Sequence, residues 1–179
     1  MSCLITQGYE LTCASVGGVK RVYLGRYEEM EGAFDVDGVL ENVAPLGDTP
    51  GTDPLNNPVY LFETDIEHSG LEQNGVINRD NGTVSFVSTI SLKLIGLNAD
   101  LIKTMKEISR APIYAVVEAN NGEFFFAGLE SALRATELVA SAGTTLEDMS
   151  GLMITLEYKS PNGVVSLDDN IIGTDIPVA

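Results

Sequence analysis

The sequence predicts a mainly β protein: an antiparallel β-sandwich or barrel with one flanking α-helix and a long projecting loop. Three observations lead there. Eighteen glycines, with frequent asparagines, punctuate a chain of 179 residues. Between these turns lie short runs rich in Val, Ile, Tyr, Phe and Thr, the pattern of strands joined by tight turns. Residues 83–94 alternate without a break: Val84, Phe86, Ser88, Ile90, Leu92 and Leu94 against Thr83, Ser85, Val87, Thr89, Ser91 and Lys93. One apolar and one polar face mark an antiparallel strand covered on one side. Only residues 98–110 carry apolar residues at helical spacing.

Taken in order, residues 9–14 read as a short strand and 16–18 as a turn. Residues 19–26 alternate, with Val19, Arg21 and Tyr23 on one side and Lys20, Val22 and Leu24 on the other. The basic residues imply a face that is exposed or paired with acid. Residues 27–78 hold twelve acidic residues and no Lys or Arg. Within them, residues 45–58 contain four prolines interleaved with Gly, Asp and Asn. Proline lacks a donor and these neighbours favour turns, so regular structure is excluded and a projecting loop is expected. A strand resumes at 59–64. After the long strand, Asn98 has the character of a helix N-cap, with Asp100 near the positive helix end. Leu101, Ile102, Met105 and Ile108 form the buried stripe, Arg110 is placed in the last turn, and Pro112 stops the helix. Residues 113–118 and 123–129 form a hairpin about Asn120-Asn121-Gly122, and the Asn-Gly dipeptide predicts a type I′ turn. Residues 133–140 fit strand or helix, and 141–150 a polar loop. In residues 152–159, Leu152, Ile154, Leu156 and Tyr158 alternate with Met153, Thr155 and Glu157. The stretch 160–179 is expected to be an extended tail. All of this fits a single domain over 1–179 with no internal repeat.

Composition excludes several function classes. Ten basic residues against 26 acidic ones give a net charge of −16, which opposes binding to a phosphate backbone or an anionic membrane. Residues 1–8 show no basic-plus-apolar leader pattern, so no secretory signal is expected there. No apolar run is long enough to span a bilayer. Two cysteines, Cys3 and Cys13, and one histidine, His68, fall short of the four ligands of a structural zinc site. The cysteines are read as reduced thiols. Tryptophan is absent, and with it the usual platform for sugars or quaternary ammonium groups.

No constellation of residues points to catalysis. A triad built on His68 and Ser69 has no nucleophile elbow to support it. Glu28, Glu29 and Glu31 could supply paired carboxylates, yet nothing marks a cleft. Asp35-Val36-Asp37-Gly38 and Asp80-Asn81-Gly82 are loosely similar to calcium loops but lack the spaced ligands and terminal Glu. Turn chemistry explains them better. Gly17-Gly18 precedes a strand rather than a helix, so Lys20 belongs to no phosphate loop. The expectation is a protein that is not an enzyme and needs no cofactor or metal.

Two stretches carry a family resemblance. One is Gly17-Gly18-Val19-Lys20-Arg21-Val22-Tyr23-Leu24. The other runs from Asn120-Asn121-Gly122-Glu123-Phe124-Phe125-Phe126-Ala127-Gly128-Leu129 through Ala140-Ser141-Ala142-Gly143-Thr144-Thr145 to Asp148-Met149-Ser150-Gly151-Leu152-Met153-Ile154-Thr155-Leu156-Glu157. In this order, with the helix ahead of the hairpin, they resemble small virion proteins of tailed phages infecting Bacteroidetes, including the crAss-like group. The matching motifs cover the outer thirds of the chain and are structural rather than catalytic. Departures are Leu152 where an aromatic is usual, the proline-rich loop and the longer C-terminal tail.

The resemblance implies a tail-tube-like fold assembling as a homo-oligomeric ring, 6- or 12-fold, in the virion tail or neck, put together in the host cytoplasm. Its partners would be copies of itself and neighbouring tail or neck proteins, with DNA passing without specific binding and no membrane contact. An acidic lumen would repel DNA phosphates, and Glu28, Glu29, Glu31, Asp35, Asp37, Glu63, Asp65 and Glu67 are the candidates to line it. The alternatives are a capsid decoration protein and an acidic β-sandwich binding module, with or without calcium dependence.

Overall fold

A computed structural model describes residues 17–29, 60–64, 68–143 and 150–167. Within them lie nine strands and one α-helix. The strands are β1 (Val19–Arg26), β2 (Tyr60–Glu63), β3 (Gly70–Asn78), β4 (Thr83–Ile95), β5 (Ile113–Ala119), β6 (Phe124–Ala127), β7 (Arg134–Ser141), β8 (Gly151–Ser160) and β9 (Val165–Leu167), with α1 (Ala99–Ile108) between β4 and β5. A five-stranded sheet has the order β2-β1-β5-β6-β9 and a four-stranded sheet the order β3-β4-β8-β7. Every pairing is antiparallel. The expected strand at 9–14 and the loop at 45–58 lie outside the described residues.

The two sheets face each other across one apolar core. From the four-stranded sheet come Ile90, Leu92 and Leu94 of β4 and Leu152, Ile154, Leu156 and Tyr158 of β8. Their register sets Ile90 beside Leu156, Leu92 beside Ile154 and Leu94 beside Leu152. The five-stranded sheet answers with side chains that are smaller on the whole, Val19, Val22, Leu24, Ile113, Ala115, Val117 and Ala127. Large residues on one sheet over small ones on the other let the layers interdigitate at interior density. The face anticipated for β8 is therefore the one buried, and that of β4 is buried from Ser88 onward, while Val84 near its start is exposed.

In β1 the expected alternation is broken. A bulge between Val19 and Arg21 adds one residue, so Val19 joins Val22 and Leu24 in the core instead of sharing a side with Arg21 and Tyr23. A bulge shifts the two-residue period by one on either side of it. The centre of the five-stranded sheet is buried on both faces, since Tyr23, Tyr114, Val116 and Phe126 on the second face are also buried.

Helix α1 carries the chain from the four-stranded sheet to the five-stranded one and closes that end of the sandwich. The Asn98 side chain accepts a hydrogen bond of 2.6 Å from the Leu101 amide, satisfying one of the helix's unpaired donors. Met105 is buried among residues of both sheets, and Leu101 and Ile108 pack beside it. The helix ends earlier than the sequence suggests. Ser109 is the C-cap, its hydroxyl donating to the Lys106 carbonyl, and Lys106 rather than Arg110 is the basic residue of the last turn. Asn98→Ala should lower stability by about 1 kcal/mol, read from the urea midpoint at unchanged m-value.

The β5–β6 connection differs from the type I′ expectation. The Gly122 amide donates to the Ala119 carbonyl, the Ala119 amide donates to the Glu123 carbonyl, and Gly122 has φ 89°. Asn120 and Asn121 are thus the central turn residues, and Gly122 forms the left-handed bulge after them. This is the three-residue hairpin loop. The ambiguous 133–140 segment resolves as strand β7, with Leu133 bridged to Ile113 by a reciprocal pair of backbone hydrogen bonds. Strand β3 is not anticipated from sequence at all. The start of the expected tail is structured too, because Val165–Leu167 pairs with β6.

Candidate functional site

Among the described residues, titratable side chains do not converge on a reactive centre. Among the described residues no group of three or more His, Cys, Asp or Glu could hold a metal ion. His68 is an exposed turn residue, and Asp80-Asn81-Gly82 closes the β3–β4 hairpin. There the Asn78 side chain accepts from the Asp80 amide and the Asn81 side chain accepts from the Thr83 amide and hydroxyl. Glu118, 8% exposed, accepts from Lys20 Nζ at 2.6 Å and lies 3.6 Å from Arg21 Nη1. The β1 bulge brings both cations to this one carboxylate, which answers the expectation of basic residues paired with acid. A groove of about 350 Å³ opens between β1, β3, β5 and β6. Val19, Leu71, Val117, Phe125 and Val164 line it, with Gln73 and Asn121 as polar neighbours and no ionisable side chain. It offers no acid, base or nucleophile.

The candidate functional surfaces are the edges of the sheets, and the two sheets differ sharply in them. The five-stranded sheet ends on β2 and β9, of four and three residues. Short edges are poor templates for pairing. The four-stranded sheet ends on β3 and β7, of nine and eight residues. No described strand pairs with the outer edge of either. Most of both strands is exposed. Proline is absent from both, and so is lysine, the residues that commonly blunt an edge. Because all pairings are antiparallel in the order β3-β4-β8-β7, the outer strands run in opposite directions.

The eight acidic candidates are divided. Glu28 is exposed in the 3-10 turn that follows β1, and Glu29 shares that turn. Glu63 is exposed at the end of β2. All three belong to the five-stranded sheet's side of the molecule. Glu31, Asp35, Asp37, Asp65 and Glu67 lie outside the described residues. Charge is nonetheless strongly partitioned along the chain. All ten Lys and Arg residues fall within the described segments, together with twelve of the 26 carboxylates; the other fourteen carboxylates have no cation in their segments.

Sequence reasoning missed the β3 edge. Its Gly-Leu-Glu-Gln-Asn-Gly-Val-Ile-Asn has low strand propensity and is largely exposed, so nothing enforces alternation. The available signal was indirect: an Asp-Asn-Gly turn immediately before the strongest strand implies an antiparallel partner upstream. No family model, curated protein or solved structure matches the chain.

Proposed function

We propose that this chain is a structural ring or tube protein of a phage tail or neck, through which DNA passes without specific binding. The observation that carries the reading is the pair of long, oppositely directed edges on one four-stranded sheet, with which no described strand pairs. Laying β7 of one copy beside β3 of the next continues the antiparallel order. Such a contact is heterologous, and a rotation that closes it produces a ring in which neither edge of the four-stranded sheet is free. The family resemblance points the same way. So does the charge, since a surface with excess carboxylate repels DNA phosphates. The lumen then takes its acidic side chains from among the eight candidates, and neighbouring tail or neck proteins contact the ring.

Like charges on the copies oppose assembly, so raising salt should strengthen the ring by screening them. The test is native mass and symmetry by mass spectrometry and electron microscopy of the full chain at low and high salt. A closed oligomer of defined symmetry, favoured by salt, is the expected result. A strictly monomeric protein that is also absent from purified virions would overturn the reading.

A further inference from the structure

Four asparagine–glycine pairs occur in the chain, Asn74-Gly75, Asn81-Gly82, Asn121-Gly122 and Asn162-Gly163, and all four lie among the described residues. Asparagine is a thermolabile residue, and it is most labile before glycine. With no Cβ in the way, the glycine nitrogen can swing onto the asparagine side-chain carbon. That attack needs a glycine amide whose proton is open to hydroxide, an asparagine side chain folded back over its own following peptide, and a backbone free to rotate. The fold brings all three together at one pair.

Asn74-Gly75 is locked in β3, where Asn74 is paired with Val87 and Gly75 with Phe86. Turning the Gly75 nitrogen toward Asn74 would break that pairing, and the Asn74 side-chain amide donates to the Glu72 carboxylate. At Asn162-Gly163 the restraint is double. Gly163 is buried and its amide donates to Ser160 Oγ at 2.6 Å, while the Asn162 side-chain amide donates to the Glu130 carboxylate. Asn121-Gly122 is the sharpest comparison, because Asn121 Oδ1 accepts from the amide two residues on, that of Glu123, at 3.1 Å. Its Gly122 amide, however, donates to the Ala119 carbonyl. Each of these three sites has to open locally before it can react.

Asn81-Gly82 is unrestrained. Both residues are exposed in the turn 79–82 that joins β3 to β4. Among the described residues the Gly82 amide donates to no backbone carbonyl. The space around it is open, since even an added Cβ would meet nothing within 4 Å. The Asn81 side chain is already folded back: its Oδ1 accepts from the Thr83 amide at 3.1 Å and from the Thr83 hydroxyl at 2.7 Å. The ring closed by the first of these bonds contains both Asn81 Cγ and the Gly82 nitrogen. Two donors on one carbonyl oxygen also act as an oxyanion hole does, stabilising the negative charge that forms on Oδ1 when Cγ is attacked.

We propose that Asn81 is a self-modification site, converted without an enzyme to aspartate and isoaspartate. The Gly82 nitrogen gives its proton to hydroxide and forms a bond to Asn81 Cγ. The Cγ–Nδ2 bond breaks, and Nδ2 takes a proton from water and leaves as ammonia. Water then opens the resulting succinimide. Opening at Cγ gives aspartate, and opening at the main-chain carbonyl gives isoaspartate. Each event adds one carboxylate to a chain of net charge −16. As isoaspartate it also adds one main-chain atom to the β3–β4 turn. The turn is exposed, so the core is untouched and the modified protein stays folded. The proposal rests on the hairpin alone and not on the ring reading.

The test is peptide mass spectrometry of the full chain aged at physiological temperature and mildly alkaline pH, in native buffer and in urea. Trypsin separates the four pairs onto peptides 27–79, 80–93, 111–134 and 160–179, and fragmentation locates the converted residue. In native buffer Asn81 should convert at least about ten times faster than the other three, the factor expected when a competing site must first break one or two hydrogen bonds. In urea the four rates should converge. Thr83→Val, which removes the hydroxyl donor, should slow the native Asn81 reaction roughly three- to tenfold and leave its rate in urea unchanged. Circular dichroism melting confirms that this variant is folded. Native conversion of any other pair as fast as Asn81, or the same ranking of sites in urea, would overturn the proposal. A Thr83→Val rate equal to that of wild type would overturn the role given to the two donors on Oδ1.

Discussion

Gly128→Ala should lower folding stability by about 3–5 kcal/mol, from the combined cost of a left-handed backbone and overpacking. Gly128 follows β6 with φ 112°, a conformation few L-residues adopt. A Cβ there would stand 2.9 Å from Leu133 Cδ1, 2.9 Å from Tyr114 Cβ and 3.0 Å from Tyr114 Cα. The last contact is with backbone in the central strand, which cannot move aside. Total stabilities of about 5–15 kcal/mol are usual, so the variant should be largely unfolded near physiological temperature. A second glycine gives a contrasting case. Gly25 is opposite Tyr114 in the β1–β5 register, and a Cβ there would collide with the Tyr114 ring tip. The ring covers the glycine and stacks on Phe126 with centroids 5.6 Å apart. Gly25→Ala should therefore also destabilise, by about 2–3 kcal/mol, but through side-chain atoms alone. In a Tyr114→Leu background, where those atoms are missing, the Gly25 effect should nearly vanish while the Gly128 effect persists. Equal effects of Gly128→Ala and Gly25→Ala in both backgrounds would contradict this account of the two close approaches.

These glycines also show where sequence reasoning stops. The periodicity of β4 and β8 was legible because one face is fully buried, so each alternate position is under the same demand. The N-cap at Asn98 was legible because its chemistry is local. The β1 bulge was not, since Lys20 and Arg21 are placed by a carboxylate nearly a hundred residues away, at Glu118. The same holds for the turn at Asn120–Gly122: an Asn-Gly dipeptide serves two loop lengths, and cross-strand register selects one of them. Arg110 fell outside the helix because Ser109 offers a local cap two residues before the approach of Pro112 matters. For the candidate surface the limit is deeper. An open edge is a property of strand order, and sequence periodicity says nothing of which strand lies outermost. The acidic candidates were chosen by charge density alone, which does not specify a direction in space.

Proline scanning of β3 should separate the fold from the assembly more cleanly than any side-chain change. On an antiparallel edge strand, successive backbone N–H groups point alternately toward the neighbouring strand and away from it. At adjacent positions Asn74 and Gly75, one amide belongs to the ladder with β4 and the other faces outward, where the proposed neighbour would bind. Proline at the inward position removes a ladder hydrogen bond and should loosen the β3–β4 hairpin. At the outward position it removes only a donor that is otherwise exposed, so the monomer's melting temperature should change little. If β7 of the next copy pairs there, that second proline should nonetheless abolish lateral closure, because it deletes an intersubunit bond and places a ring in the path of the incoming strand. The expected pattern is thus one variant with damaged stability and one with near-native stability that no longer forms a closed oligomer in native mass spectra. Closed oligomers from both variants, indistinguishable from wild type, would show that the β3 edge is not the lateral contact. A near-native melting curve for that second variant separates loss of the lateral contact from general misfolding.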